Sequence, residues 1–217
     1  MPPDLDRAAA DLVAYGRRVV EAGLVIGASG NLSVRAGDRI VVSPRGVPLD
    51  GLTAEDCPVV SLDGRLLRGE REPSSETPMH LAVYAGTDAG AVVHTHSTVA
   101  TALSTVLTEL PALHYNVVDL GGPLRVAEYA TFGTDELAAN VLAALRDRRA
   151  ALMANHGTIA YGRDLPEAFR RARLVEWLCA VYHQARQVGE PVALTEEQLD
   201  AVRARGPVLR YLREGTA

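Results

Sequence analysis

Residues 91–97 read AVVHTHS, a short apolar run that ends in two histidines separated by one residue. The run predicts a strand, and the following residues 97–107 (STVATALSTVL) predict a helix. Because alternate residues of a strand point to the same side, His94 and His96 would stand side by side at a distance suited to sharing one cation. Two surface histidines at a strand end are the alternative, and the pair alone does not decide between them.

Helix and strand patterns alternate outward from this stretch. Strand pairs are predicted at LSVR with RIVVS and at ALMAN with TIAYG, and they favour a sheet that is mostly antiparallel or mixed. Helices are predicted over residues 4–22, 74–85 and 165–186, and from about Thr134. With no Pro- or Ser-rich linker, the pattern indicates one α/β domain over residues 1–217, in which residues from about 191 to 217 form a C-terminal helical tail.

The composition excludes several mechanisms. The chain has 217 residues and a net charge of -5, and all 22 of its Lys and Arg residues are Arg. Without Lys there is no Schiff base to a carbonyl substrate, no pyridoxal phosphate anchor and no NTPase-type phosphate loop. If the protein acts on a carbonyl substrate, a group other than Lys must therefore stabilise the negative charge that develops beside the carbonyl.

Charge and hydropathy also limit the partners. An acidic balance with scattered Arg argues against nucleic acid as a partner. No basic leader precedes an apolar stretch and no apolar run approaches the roughly 20 residues that span a bilayer, so we expect a cytoplasmic protein without a membrane partner. Cys57 and Cys179 lie far apart in the chain and are expected to be ordinary thiols.

Further polar residues suggest a metal and an anion. His156 lies in a predicted hairpin turn, and Glu76 follows two Ser before a predicted helix. Three imidazoles and one carboxylate make a zinc-like donor set, although Glu76 alone could be a helix-start acid. Residues 27–31 (GASGN), 43–46 (SPRG) and 74–75 (SS) are each compatible with a simple turn or cap. Together they could wrap a phosphate with N–H groups, hydroxyls and an amide.

Several motifs together resemble the class II aldolase/adducin family, most closely its bacterial L-fuculose-1-phosphate aldolases. GNLSVR, SPRGVP, PSSE, AVVHTHS, PALHY, EYATFGTDEL and NHGTIA occur in the order and at nearly the spacing of that family, from about residue 5 to 190. The resemblance implies a three-layer fold with helices on both faces of the sheet. It also implies a Zn2+ site, which could accept Co2+ or Mn2+, formed by Glu76, His94, His96 and His156.

The resemblance further implies a lyase of carbohydrate metabolism. Such an enzyme cleaves L-fuculose 1-phosphate, or a related ketose 1-phosphate, to dihydroxyacetone phosphate and L-lactaldehyde or a related aldehyde through a metal-stabilised enediolate. Glu76 would move the proton at the reacting carbon, and Tyr115, from a neighbouring subunit of a homotetramer, would protonate the aldehyde-derived oxygen. Tyr211 is the nearest candidate for a C-terminal tyrosine that assists catalysis in relatives. The residues expected to bind the phosphate are Asn31, Gly46, Ser74 and Ser75, with Arg45 in place of a small hydroxyl residue.

Other readings stay open within the family. An L-ribulose-5-phosphate 4-epimerase would break and remake the same kind of bond, with Asp119 as a candidate for its additional acid; Glu76, where epimerases have Asp, favours an aldolase. Other sugar-phosphate lyases or dehydratases remain alternatives. A non-catalytic adducin-like module is a different class, which lacks the metal ligands. His80, His114 and His183 are interpreted as packing or surface residues.

Overall fold

One mixed sheet of nine strands organises the computed structural model, which describes residues 4–205. Its order is β4-β3-β2-β1-β5-β9-β8-β7-β6, and neighbouring strands are antiparallel except for the parallel pair β7 and β8. The predicted mostly antiparallel sheet and both predicted hairpins are thus confirmed. The strands are β1 (Asn31–Ala36), β2 (Arg39–Val42), β3 (Val59–Ser61), β4 (Leu66–Arg68), β5 (Ala91–Thr95), β6 (Glu109–Leu110), β7 (Leu124–Ala127), β8 (Ala150–Met153) and β9 (Gly157–Gly162).

Six α-helices accompany the sheet within the described residues. Side chains of Asp4, Thr134, Asp164 and Thr195 cap the starts of four of them by accepting backbone N–H bonds, which explains where these helices begin. The last helix lies in the predicted C-terminal tail, whereas Tyr211 lies outside the described residues. The helices are α1 (Leu5–Glu21), α2 (Thr77–Gly86), α3 (Thr98–Ser104), α4 (Asp135–Ala144), α5 (Leu165–Val188) and α6 (Glu196–Arg203), and short 3-10 helices span Leu49–Gly51 and Tyr115–Leu120.

Helices cover both faces of the sheet. Val93 of β5 belongs to a core cluster with residues of α1, α3 and α5, while Val92 belongs to a second cluster with residues of α2 and α4. Successive strand residues point to opposite faces, so both clusters are built from the same strands. The result is the predicted α/β domain of three layers, whose central strands are buried on both sides.

Both cysteines are thiols, as the sequence predicts. Cys57 and Cys179 are buried free thiols, and burial, aided by Asp56 and Glu55, raises the pKa of the Cys57 thiol to about 12. Between residues 4 and 205, no helix is both long and apolar enough to cross a membrane.

The central strands β1, β5 and β9 meet at one edge that carries several predicted site residues. Asn31, the first residue of β1, pairs with His94 near the end of β5, and Thr95 pairs with Thr158 near the start of β9. Because both pairings are antiparallel, the start of β1, the end of β5 and the start of β9 coincide. This topology gathers residues from three distant parts of the chain.

Candidate metal centre

Four side chains converge at this edge of the sheet. One ligand atom from each of Glu76, His94, His96 and His156 lies within 4.8 Å of the others. Nε2 of His94 is 2.9 Å from Nε2 of His96, as the alternation of side chains along the strand predicts. The carboxylate of Glu76 closes the group: Oε2 is 3.1 Å from Nε2 of His94, and Oε1 is 3.2 Å from Nε2 of His156.

The protonation of His94 follows from its partner. Nδ1 of His94 lies 2.8 Å from the carbonyl oxygen of Thr158, which can only accept a hydrogen bond. Nδ1 therefore carries the proton in the neutral ring, and the lone pair of Nε2 points into the cluster. A backbone carbonyl behind a histidine in this way is the usual arrangement for a metal ligand, because it fixes both tautomer and ring orientation.

Glu76 adds an ionised carboxylate. It is the N-cap residue of α2 and is buried, yet its Oε1 accepts no hydrogen bond. Burial by itself would raise the pKa of Glu76, but the facing His94 and His156 hold that pKa well below its usual range. An orphaned carboxylate oxygen beside three imidazoles fits a divalent cation such as Zn2+.

Burial lowers the pKa of His96 and so disfavours its protonation. The pKa of His96 falls to about 4, chiefly because the ring is buried and secondarily because His94 and His156 lie close by. A neutral imidazole is the form that binds a metal. His96 is therefore in its metal-binding form at neutral pH.

Two glycines allow the backbone to pass close to the cluster. A Cβ on Gly157 would lie 2.3 Å from the carbonyl oxygen of Thr95 and 3.0 Å from Cδ2 of His96. Gly30 has a φ of +75°, and a Cβ there would lie 2.9 Å from the carbonyl oxygen of His94. These positions need glycine because any larger residue would push apart the strands that carry the histidines.

The cluster opens into a cavity of about 400 Å3, a size suited to a small ligand. The three loops predicted to wrap a phosphate all line it, so the structure brings together every residue expected in that role. The lining residues are Ala28, Ser29, Gly30, Asn31, Pro44, Arg45, Gly46, Ser74, Ser75, Glu76, His96, Tyr129, Ala130, Phe132, Asn155 and His156.

The loop residues differ in how far they are engaged. Arg45 is exposed and forms an ion pair of 3.5 Å with Glu72, whereas Gly46 has a φ of +71° and open space around it. The hydroxyl of Ser74 accepts the backbone N–H of Glu76 at 3.2 Å, which connects the loop to the candidate metal ligand. Arg45 and Gly46 are thus accessible from the cavity, while Ser74 is already held in place.

Two exposed aromatic side chains stand at the cavity. Tyr129 is 63% exposed and Phe132 is 61% exposed. The sequence interpretation used their segment, EYATFGTDEL, as a family motif and a helix start, and it assigned neither residue a role. Large apolar side chains left exposed beside a polar cavity are a typical sign of a binding surface.

His80 is a functional candidate that the sequence interpretation assigned to packing or the surface. It is fully buried behind the cluster, where Nε2 lies 2.5 Å from Oδ1 of Asn31 and Nδ1 lies 2.7 Å from the hydroxyl of Ser33. Burial, with a contribution from His94, lowers the pKa of His80 to about 3, so the ring is neutral. Asn31, expected only at the phosphate, also donates a hydrogen bond of 2.9 Å to Oε2 of Glu76.

Tyr115 and Asp119 do not line this cavity in the described part of a single chain. Tyr115 is 39% exposed and stacks on His114, with ring centroids 4.3 Å apart. The side chain of Asp119 is 6% exposed, pairs with Arg170 at 2.6 Å, and lines a separate cavity of about 980 Å3. Neither side chain reaches the metal cluster of its own chain.

The chain matches known proteins along most of its length. A family model described as "Class II Aldolase and Adducin N-terminal domain" matches residues 10–183. Over 193 residues the chain is 42% identical to a 5-methylthioribulose-1-phosphate/5-deoxyribulose-1-phosphate aldolase of Rhodospirillum rubrum, with 88% of this chain and 87% of the relative covered. It is 39% identical over 193 residues to a 5-deoxy-D-ribulose 1-phosphate aldolase of Bacillus thuringiensis, with 88% and 91% covered. A solved structure of an L-fuculose 1-phosphate aldolase superimposes with a TM-score of 0.89 at 39% identity, with 93% of this chain and 96% of the other covered.

Proposed function

Because this chain belongs to the class II aldolase and adducin family, we propose that it is a metal-dependent aldolase that cleaves a ketose 1-phosphate to dihydroxyacetone phosphate and a short aldehyde. The observation that carries the proposal is the cluster of Glu76, His94, His96 and His156, which opens into a cavity walled by three phosphate-compatible loops. Glu76, His96 and His156 line the same cavity as the loops proposed to hold the phosphate, so one bound sugar phosphate could contact both.

The proposed substrate ends in a carbon without a hydroxyl. Two relatives are named for 5-deoxyribulose 1-phosphate and one structural neighbour for L-fuculose 1-phosphate. Both sugars share the three-carbon phosphate half, and both end in a methyl group on the aldehyde half. Tyr129 and Phe132 offer an exposed apolar surface that suits such an end.

The phosphate would be bound without Lys. Ser75, the backbone around Gly46 and the amide of Asn31 face the cavity, and Arg45 is the cation at its edge. Hydroxyls and N–H groups of loops before a helix are suitable donors to a phosphate. Arg45 would exchange its ion pair with Glu72 for one with the phosphate.

Glu76 is the proposed base. A Zn2+ ion, or a Co2+ or Mn2+ ion, held by the three histidines and Glu76 would supply a Lewis acid that stabilises negative charge on the substrate. When the bond between C3 and C4 of the sugar breaks, the C4 hydroxyl would give up its proton as the aldehyde forms, and Glu76 would take up that proton and deliver it to C3. Oε1, which is buried without a hydrogen bond and faces the metal cluster, would become available for that transfer once the substrate displaces Glu76 from the metal.

Metal removal combined with an aldol assay tests this function. The purified protein is analysed for metal, treated with a chelator, and assayed for dihydroxyacetone phosphate with a coupled NADH-dependent reductase. We expect cleavage to disappear with the metal and to return with one equivalent of Zn2+. Cleavage that survives complete metal removal would refute the proposal, and a protein that neither contains nor binds metal would favour an adducin-like module.

A substrate panel separates the related activities. 5-deoxyribulose 1-phosphate and L-fuculose 1-phosphate should release triose phosphate. L-ribulose 5-phosphate should not be converted to xylulose 5-phosphate, because Asp119, the candidate for the additional acid, is paired with Arg170. Epimerisation without triose release would replace the aldolase by the epimerase.

We further propose a homotetramer in which Tyr115 completes the site of a neighbouring subunit. Tyr115 and Trp177 are exposed around His114 on one part of the surface, and Tyr129 and Phe132 are exposed at the cavity. Aromatic side chains of this kind are enriched at protein interfaces. Analytical ultracentrifugation should give the mass of four chains, and a fully active monomer would contradict this assembly.

A further inference from the structure

A hydrogen-bonded network of buried polar side chains runs from the metal cluster into the protein core. Asn31 Nδ2 donates to Oε2 of Glu76 at 2.9 Å, and Oδ1 of the same amide lies 2.5 Å from Nε2 of His80. On the other side of the imidazole, Nδ1 lies 2.7 Å from Ser33 Oγ, which is 2.8 Å from the hydroxyl of Tyr84. All five side chains are buried.

In each hydrogen bond of this network, the chemistry of the partners fixes which atom donates and which accepts. An ionised Glu76 only accepts, so the amide of Asn31 must present its NH2 group to Glu76 and its oxygen to His80. That oxygen also only accepts, so Nε2 of His80 must carry the proton. Neutral His80 then accepts at Nδ1 from the hydroxyl of Ser33, which in turn accepts from Tyr84.

This order of donors and acceptors has a consequence for Glu76. If Nε2 of His80 carried no proton, the amide of Asn31 would turn to donate to it and would present its oxygen to the carboxylate, where two negative oxygens would repel each other. The proton on His80 therefore decides whether Asn31 attracts Glu76. The attraction restrains Oε2 and leaves Oε1 without a hydrogen bond, facing His156.

We propose that His80 is a positioning residue of the reaction, which acts through Asn31 to hold the Glu76 carboxylate in the orientation that the metal and the proton transfer require. The inference rests on the proposed aldolase function. Partners behind metal ligands and catalytic bases typically change affinity or activity by about 10- to 100-fold when removed. Because Asn31 also lines the cavity, the same amide joins the phosphate side of the site to the base.

Two substitutions of His80 separate positioning from packing. The amide of His80→Gln can reach the place of Nε2 and keep a donor for Asn31, whereas His80→Asn can reach only the place of Nδ1 and keeps an acceptor for Ser33. We expect His80→Asn to lower kcat and Zn2+ affinity by about 10- to 100-fold. His80→Gln should retain most of the kcat and of the Zn2+ affinity. Tyr84→Phe changes the residue of the network farthest from Glu76, and it should alter thermal stability more than kcat.

A double-mutant cycle tests whether His80 acts through Asn31. In an Asn31→Ala background, His80→Asn should cause little further loss, because the intermediate residue is already gone. A purely structural residue would instead give equal losses for His80→Gln and His80→Asn, or losses that add to those of Asn31→Ala. Either of these results would overturn the proposal.

Measurements without turnover keep this inference separate from the aldolase proposal. Chelator competition can measure the Zn2+ affinity of all four proteins of the double-mutant cycle, whether or not the wild-type protein cleaves a ketose phosphate. A wild-type protein that cleaves none would reject the aldolase proposal but would leave the positioning role of His80 open to this test. Imidazole 15N NMR of the wild-type protein should show the His80 proton on Nε2. A proton on Nδ1 of His80 instead would reject the positioning role, and this measurement does not depend on whether the His80 variants fold.

Discussion

Asn31 and His94 are direct partners across the antiparallel strands β1 and β5, although they lie far apart in the sequence. Side chains of directly opposed strand residues approach within about 4.5–5.5 Å at their Cβ atoms. His94 belongs to the cluster that could hold a metal, and Asn31 lines the adjoining cavity. The strand pairing therefore sets the spacing between the histidine cluster and the cavity.

Replacing Glu76 by Gln should remove most turnover. The amide cannot accept the proton that the carboxylate moves, and general acid–base catalysis typically contributes about 10²- to 10⁴-fold, so kcat should fall by that factor. The coupled assay measures it on metal-loaded protein. Glu70→Gln, at an exposed position, is the matched control and should leave kcat unchanged. Near-normal turnover in the Glu76→Gln variant would exclude Glu76 as the base.

Replacing His96 by Ala should weaken metal binding more than it weakens the fold. Loss of one ligand leaves an incomplete donor set, so we expect Zn2+ affinity to fall by at least about 100-fold. Competition with a chromophoric chelator measures the affinity. His183→Ala removes an exposed imidazole from α5 and should not alter it. Equal affinity in the two variants would remove His96 from the ligand set.

Replacing Arg45 by Ala should weaken binding of the substrate phosphate. The exposed guanidinium at the cavity edge makes no contact with the metal ligands in the described chain, so KM should rise by roughly tenfold, the equivalent of about 1.4 kcal/mol, while kcat changes little. Inhibition by inorganic phosphate should weaken in parallel. Arg17→Ala, on the exposed side of α1, is the control. A lower kcat with unchanged KM would contradict this role.

Replacing Gly157 by Ala should destabilise the protein and disturb the cluster together. The added Cβ would overlap the carbonyl oxygen of Thr95 and approach His96, and overpacking of this kind costs about 1–3 kcal/mol of unfolding free energy. Urea unfolding of the metal-free protein measures the cost, and chelator competition measures Zn2+ affinity. A Cβ on Gly51 meets open space, so Gly51→Ala should show neither effect. A Gly157→Ala variant as stable as the wild-type protein would contradict this prediction, because it would show that β5 and β9 can move apart to accept the added Cβ.

Subunit mixing tests whether Tyr115 works in a neighbouring chain. Tyr115→Phe and Glu76→Gln should each be nearly inactive when assayed alone. If the two residues come from different subunits, a mixture allowed to exchange subunits regains activity, because some sites receive both native residues. Each variant mixed with itself is the control. No recovery, despite exchange shown by mass spectrometry of mixed tetramers, would place both residues in one chain.

Much of the site could be predicted from local sequence. The His-x-His pair lies at a strand end as the two-residue period of a strand requires, and Thr134 caps α4 where the sequence predicts its start. These features depend on residues close together in the chain. The metal ligands could be grouped because imidazole and carboxylate groups beside turns are recognisable by their chemistry.

The role of His80 could not be predicted in this way. Its sequence neighbours make it a helix residue among apolar side chains, for which packing is the ordinary interpretation. Only the packing of α2 on β1 brings His80 and Tyr84, one helical turn apart, against Asn31 and Ser33, which share one side of the strand. Likewise, only tertiary structure pairs Asp119 with Arg170 away from the metal cluster.

The sequence by itself therefore determined most of the helices and strands, though not β6 and β7, together with the candidate metal ligands, the absence of any Lys-based chemistry and the family. The tertiary structure decided which oxygen of Glu76 is restrained, which residues stand behind it and which aromatic side chains face the cavity. The physical reason is that periodicity, capping and turn chemistry act over a few residues, whereas hydrogen-bond direction and burial at the site depend on strand pairings between residues distant in the chain.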